Sequence, residues 1–188
     1  PSVVAGINIA IRAFSKEGDG VIIQPPVYDP FSDIVRRTGR NVVNNPLKKV
    51  NGRYEMDFEL LERQAAEPST RMMILCSPHN PVGRVWSREE LTRLADICIR
   101  NEVLLISDEI HSDIVYEGHT HYPLLSLSGD YGAHVIHLTA PSKTFNIPGL
   151  KCSIAVIADE GLKHRFDEMQ LAMSLDIRNT FGLEGVMA

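Results

Sequence analysis

"RMMILCSPHNPVGRVWSREELTRLADICIRNEVLLISDEI", residues 71–110, decides how the rest of the chain is read. It opens with Met72–Cys76, apolar at every position. An apolar run without alternation reads as a strand covered on both faces. Ser87 then precedes "REELTRLADICIRN", where Leu91, Leu94, Ala95 and Cys98 share one helical face. A second apolar run, "VLLISD" (103–108), closes the unit. Strand, helix and strand, with both strands apolar throughout, make a parallel crossover with its helix lying on a sheet.

The same alternation continues outward. Residues 2–14 read as a helix, and "VIIQ" (21–24) as a short strand stopped by Pro25 and Pro26. Residues 29–38 read as a helix and 41–45 as a strand. The basic stretch "PLKKVNGR" (46–53) reads as a solvated turn, and "GRYEMD" as a turn with a short edge segment. Asp57 caps a helix to about residue 66. Downstream, "HVIHL" (134–138) and "SIAVIAD" (153–159) read as buried strands, and 160–175 as a helix. The fold expected is α/β, a doubly wound, largely parallel sheet covered by helices, with 1–188 forming one domain.

The 188 residues are 44% hydrophobic and 23% charged, with a formal net charge of −5, enough for one sizeable core. Mild acidity argues against a nucleic-acid partner. No apolar run approaches the roughly 20 residues of a membrane span, and no signal-peptide pattern opens the chain. Cys76, Cys98 and Cys152 are too few and scattered for a disulfide framework or a CxxC metal site. A cytoplasmic protein without a metal is expected. "PSVVAGINIAIRAF" begins mid-pattern and "RNTFGLEGVMA" ends without a closing element, so a piece of a longer protein is expected.

In sheets of this kind ligands bind beyond the carboxyl ends of the strands. Four segments follow such ends: "QPPVYDPF", "CSPHNPVGRVW", "SDEIHSDIVYEG" and "TAPSKTF". They carry Tyr28, Asn80, Asp108 and Lys143. Singly, each has a plain reading: a packing aromatic, a turn amide, a helix N-cap and a surface amine. Jointly they suit one ligand. An amine forms an imine with an aldehyde, and a desolvated carboxylate keeps a ring nitrogen protonated. An amide holds an oxyanion, and an aromatic covers the ring. Pyridoxal 5′-phosphate is such a ring. Other features read more plainly. His119 and His121 sit on a solvated loop lacking a third metal ligand, Arg84 and Trp86 pack and cap, and Cys76 and Cys152 are core thiols.

"SPHNPVGRVWSREEL", "SDEIHSDIVY" and "SKTFNIPGLK" together resemble the large domain of the fold type I pyridoxal-phosphate enzymes, in the class I/II aminotransferase superfamily. The similarity is strongest to the cystathionine β-lyase-like (MalY/PatB) branch of C–S lyases. The resemblance implies Lys143 as the Schiff-base lysine and Asp108 as partner of the pyridine nitrogen. It implies Asn80 as donor to the ring hydroxyl oxygen, Tyr28 as the stacking aromatic and Ser142 at a phosphate-contacting position. Two positions depart from the superfamily pattern. Lys151 stands eight residues after the lysine, where an arginine is usual, and His111 three after the aspartate, where a tyrosine is usual. Both are at home in the C–S lyase branch.

The resemblance also implies a homodimer in the full-length protein, with the partner lending a tyrosine near the phosphate. A C-terminal small domain would supply a carboxylate-binding arginine, and an N-terminal segment would precede the first helix. The implied activity is β-cleavage of small-molecule amino acids of the cystathionine or cysteine-S-conjugate type, giving a thiol, pyruvate and ammonia. An aminotransferase remains an alternative, as does a cofactor-sensing regulatory domain of a transcription factor.

Overall fold

The computed structural model describes residues 1–127, 130–177 and 179–187. The chain runs α1 (Val3–Phe14), β1 (Gly20–Ile23), α2 (Pro30–Arg37), β2 (Asn41–Asn44), β3 (Lys48–Val50), β4 (Arg53–Glu55) and α3 (Phe58–Ala65). It continues through β5 (Thr70–Cys76), α4 (Arg88–Arg100), β6 (Leu104–Asp108), β7 (Val135–Thr139), β8 (Ile154–Val156), α5 (Glu160–Ala172) and α6 (Thr180–Met187). Six strands form one sheet in the order β2-β1-β5-β6-β7-β8. All neighbours are parallel except β7 and β8, which are antiparallel.

Side chains of β5 explain the layering. Met72, Ile74 and Cys76 point into one cluster with Ile7 and Ile11 of α1, Phe31 of α2 and Phe166 of α5. Met73 and Leu75 point into the other, with Leu61 of α3 and Leu91 and Leu94 of α4. Both faces of the strand are therefore dry, as its unbroken apolar run requires. Ser87 and Glu90 form a reciprocal capping box that starts α4, and Asp57 caps α3 by accepting the Leu60 N–H at 3.1 Å.

Three local expectations are corrected. Lys48–Val50 and Arg53–Glu55 pair as an antiparallel hairpin rather than a bare turn. Asn51 and Gly52 connect them at φ 49° and 81°, the left-handed pair a two-residue hairpin turn requires. The last strand is only three residues long and exposed along its length, because β8 is the sheet edge and has one neighbour. A further helix, α6, follows α5 where a single terminal helix was read. Among the described residues, no helix is long and apolar enough to cross a membrane.

Candidate active site

Since β1, β5, β6 and β7 run parallel, their last residues, Ile23, Cys76, Asp108 and Thr139, share one edge of the sheet. The loops that leave this edge enclose a cavity of about 280 Å³. All seven residues singled out from the sequence line it: Tyr28, Asn80, Asp108, His111, Ser142, Lys143 and Lys151. They come from four loops spread over residues 28–151, so only the sheet can gather them.

Asp108 ends β6 between Cys76 of β5 and Leu138 of β7 and is only 5% exposed. Its carbonyl accepts the Ser77 N–H at 3.0 Å, and its Oδ1 accepts the Ile110 N–H at 3.2 Å. That bond turns the chain without starting a helix, so the capping reading is replaced by a tight local turn. Burial pushes the carboxyl up to about 7, and the nearby charge of Glu109 adds to this. Ile110 N–H, His137 and Lys143 act in the opposite sense. His111 follows on the same turn, its pKa lowered by burial and then by the charge of Lys143. It is therefore biased toward a neutral ring beside the carboxyl.

Lys143 sits in the turn after β7, closed by Phe145 N–H to Pro141 O at 2.9 Å and Ile147 N–H to Ser142 O at 3.0 Å. Thr144 Oγ1 donates to Asp113 Oδ2 at 2.8 Å, tying this turn to the one that carries His111. Among the described residues, no carboxylate pairs with the Lys143 amine. Lys151 follows a short helical turn, with its own backbone left-handed at φ 50°.

Asn80 rides on a loop held from several sides. Its N–H donates to Cys76 Sγ at 3.3 Å, and His79 N–H meets Arg84 O at 2.8 Å. Burial pushes His79 down to about 4, so its neutral ring donates from Nε2 to Pro26 O at 3.0 Å. This bond ties the Asn80 loop to the loop that carries Tyr28. Trp86 donates from its indole to Cys76 O at 3.0 Å, and Arg84 stacks 4.4 Å from its ring while pairing both Glu90 oxygens. Packing and capping, as read from the sequence, is what these two residues do. Tyr28 sets its half-exposed ring edge-on to buried Phe31, with centroids 5.7 Å apart. Burial pushes the Cys76 thiol up to about 12, which makes it an inert wall of the cavity.

Two features escaped sequence reasoning. Ser2, Val3 and Val4, the first turn of α1, also line the cavity, so a helix N-terminus faces it. Its signal was present: a serine directly before an apolar helical run. The second is a buried carboxylate behind Asp108. Glu109 Oε2 meets His121 Nε2 at 2.7 Å, and Oε1 accepts the Ser107 hydroxyl at 2.7 Å and the Leu124 N–H at 3.0 Å. His137 Nδ1 lies 3.1 Å from Oε1, near enough for the charge but out of line for a full hydrogen bond. Burial works to raise the Glu109 pKa, but the imidazoles of His121 and His137 outweigh it and hold the carboxyl at about 2. His121 is thus corrected from solvated loop to buried partner, while His119 is exposed as expected.

The arrangement offers an amine, a carboxyl, an imidazole, an amide and a helix N-terminus around one small volume, with an aromatic at its rim. Such a set binds a flat ligand carrying an anionic group and an electrophilic carbon. Comparison with known proteins agrees. Residues 1–181 match the sequence model of the aminotransferase class I and II family. Cystathionine beta-lyase PatB of Bacillus subtilis (strain 168) is 43% identical over 188 residues, covering 100% of this chain and 49% of its own length. Protein MalY of Escherichia coli (strain K12) is 37% identical over 167 residues, 88% of this chain and 42% of its own. Cystalysin from Treponema denticola, whose crystal structure contains a pyridoxal 5′-phosphate cofactor, superposes with a TM-score of 0.96 at 37% identity. That match covers 98% of this chain and 47% of cystalysin. The chain spans about half the length of the relatives it matches. Its parallel sheet, the amine and acid on adjacent strand ends, and a match over nearly every residue agree, and the chain belongs to the aminotransferase class I and II family.

Proposed function

We propose that the intact protein is a pyridoxal-phosphate-dependent C–S β-lyase acting on amino acids of the cystathionine or cysteine-S-conjugate type. One observation carries the reading: Lys143 and Asp108 line the same cavity with Asn80, His111, Ser142, Lys151 and Tyr28. The donor chemistry fits the cofactor. Asp108 offers a buried acceptor for a ring N–H, and Asn80 and His111 stand together as partners for a ring oxygen. Ser142, Lys151 and the α1 N-terminus supply a hydroxyl, a cation and free amides for a phosphate. Bound there, pyridoxal 5′-phosphate supplies an aldehyde for the lysine and a ring that stabilises negative charge at the substrate Cα.

The chain's own residues do the rest. Lys143, free of any carboxylate partner among the described residues, serves first as anchor and then as the base that takes the Cα proton. Asp108 pairs with the ring nitrogen and is drawn toward its ionised form by that cation. His111 and Asn80 orient the ring in its plane, and Tyr28 shields one face from water. Loss of a thiolate from Cβ, rather than return of a proton elsewhere, releases the thiol and leaves a three-carbon enamine, which takes up one water to give pyruvate and ammonia. The similarity to PatB, a cystathionine beta-lyase by name, supports this outcome over amino-group transfer. We further read residues 1–188 as the cofactor-binding large domain of a cytoplasmic homodimer, in which a small domain completes the substrate pocket. The relatives' roughly doubled length supports the further domain in that reading.

The test uses the full-length protein with pyridoxal 5′-phosphate and L-cystathionine, without any 2-oxo acid. Sustained release of pyruvate and ammonia, abolished by Lys143→Ala, is expected. Turnover that appears only when a 2-oxo acid is added would replace the lyase by an aminotransferase.

A further inference from the structure

We propose that Glu109 is a positioning residue of this site: its carboxylate clamps the β6 end, β7 and the loop through Leu124 to one point, and so fixes the spacing of Asp108, His111 and Lys143. Glu109 is fully buried, and its partners come from three segments: Ser107 of β6, His137 of β7, and His121 with the Leu124 N–H of the loop. Its backbone joins in, with N–H donating to Leu138 O at 2.8 Å and C=O accepting Thr139 Oγ1 at 3.3 Å. Asp108 precedes it, His111 lies two residues on, and Thr139 leads into the Lys143 turn. Glu109 itself does not line the cavity, so any influence on the ligand passes through these neighbours.

A buried carboxylate is an expensive way to fill space, since an apolar side chain would avoid its desolvation. What it supplies is direction: Ser107 of β6 and, from the loop, His121 and the Leu124 N–H must stand where an oxygen accepts them. His137 of β7 lies alongside at 3.1 Å, and the Glu109 backbone bonds Leu138 and Thr139. Its charge has a second consequence. The groups facing Asp108 are Glu109 beside it, Cys76 across β5, His137 on β7, His111 on the following turn and Lys143 beyond β7. Burial does most to keep a proton on Asp108, and among these groups the charge that adds to it is Glu109. Removing it lets Asp108 ionise at lower pH.

The clamp is tested in the full-length, cofactor-free protein by amide hydrogen exchange. Glu109→Ala and His121→Ala are expected to speed exchange across residues 116–124 by about tenfold or more, with β1 and β5 unchanged. Glu109→Gln, which keeps the shape, is expected to lose much less. Wild-type exchange in His121→Ala would overturn the clamp, and that variant decides the matter if Glu109→Ala fails to fold. The electrostatic consequence rests on the cofactor reading above and is read from pyridoxal 5′-phosphate affinity against pH. The pH at which affinity falls should move lower in Glu109→Gln, whereas an unmoved midpoint would reduce Glu109 to packing. Failure of the wild type to bind the cofactor would sink the cofactor reading, and the exchange result would still decide the clamp.

Discussion

Asp108 sets function against stability at a single side chain. Its carboxyl is raised from the ordinary 3.8 to about 7, so between those values the folded chain holds a proton that the unfolded chain has released. Stability therefore falls as pH rises through that window, and the cost is fully present above it. Asp108→Asn is expected to raise the melting temperature of the cofactor-free protein at pH 8, by about 2 kcal/mol or more in unfolding free energy. The same variant should bind pyridoxal 5′-phosphate at least about tenfold more weakly, since it loses a charge-assisted hydrogen bond. Glu109 has the opposite sign. Held near 2, it contributes stability above 4.5 that is lost as pH falls toward 2, and Glu109→Gln should flatten acid unfolding in that range. Asp108 alone reads as a helix N-cap, and it was legible in the sequence because Tyr28, Asn80 and Lys143 follow other strand ends. Glu109 was not, because its meaning depends on His121 and His137, 12 and 28 positions away, and nothing local announces that meeting.

At the scale of elements, the segment between β5 and α4 behaves as a strut. Arg84 is nearly buried and holds both oxygens of Glu90, the residue that also closes the α4 capping box. Arg84→Ala leaves that carboxylate with one partner fewer and removes the stack on Trp86. It should cost about 2 kcal/mol in urea unfolding, with the slope unchanged. Trp86 is the chain's one tryptophan and sits beneath the Asn80 loop, so it is a built-in probe. Its emission should be blue-shifted in the folded protein and quenched when the cofactor binds nearby. Helix α4 was readable down to its capping pair, since capping is written within four residues. The β3–β4 hairpin was written just as locally, in Asn51-Gly52, but its flanks are short and exposed and carry no apolar alternation.

For the whole molecule, the pattern of apolar runs gave the layers but not the order of the strands. Periodicity says that β1 and β5 are covered on both faces, yet their adjacency and the antiparallel turn of β8 follow from contacts distant in sequence. The edge shows the difference most clearly. Ile154 and Val156 read as core and stand instead exposed on an open sheet edge. An apolar edge of this kind invites a second strand. Residues 1–188 expressed alone should associate with rising concentration in sedimentation experiments. Lysine at positions 154 and 156 together should shift the distribution toward monomer.

The cavity's residues enter the chain in the order Tyr28, Asn80, Asp108, His111, Ser142, Lys143 and Lys151, and no shorter stretch holds them all. A growing polypeptide on the ribosome cannot bring acid, amide and amine together until the last of them has left the exit tunnel. Parallel strands sharpen the point, because each crossover must close before the next strand end falls into line. On the proposed function, cofactor capture is therefore expected late in synthesis: a nascent chain that ends short of Lys143 lacks the amine, and one that ends short of Lys151 lacks the second cation of the cavity.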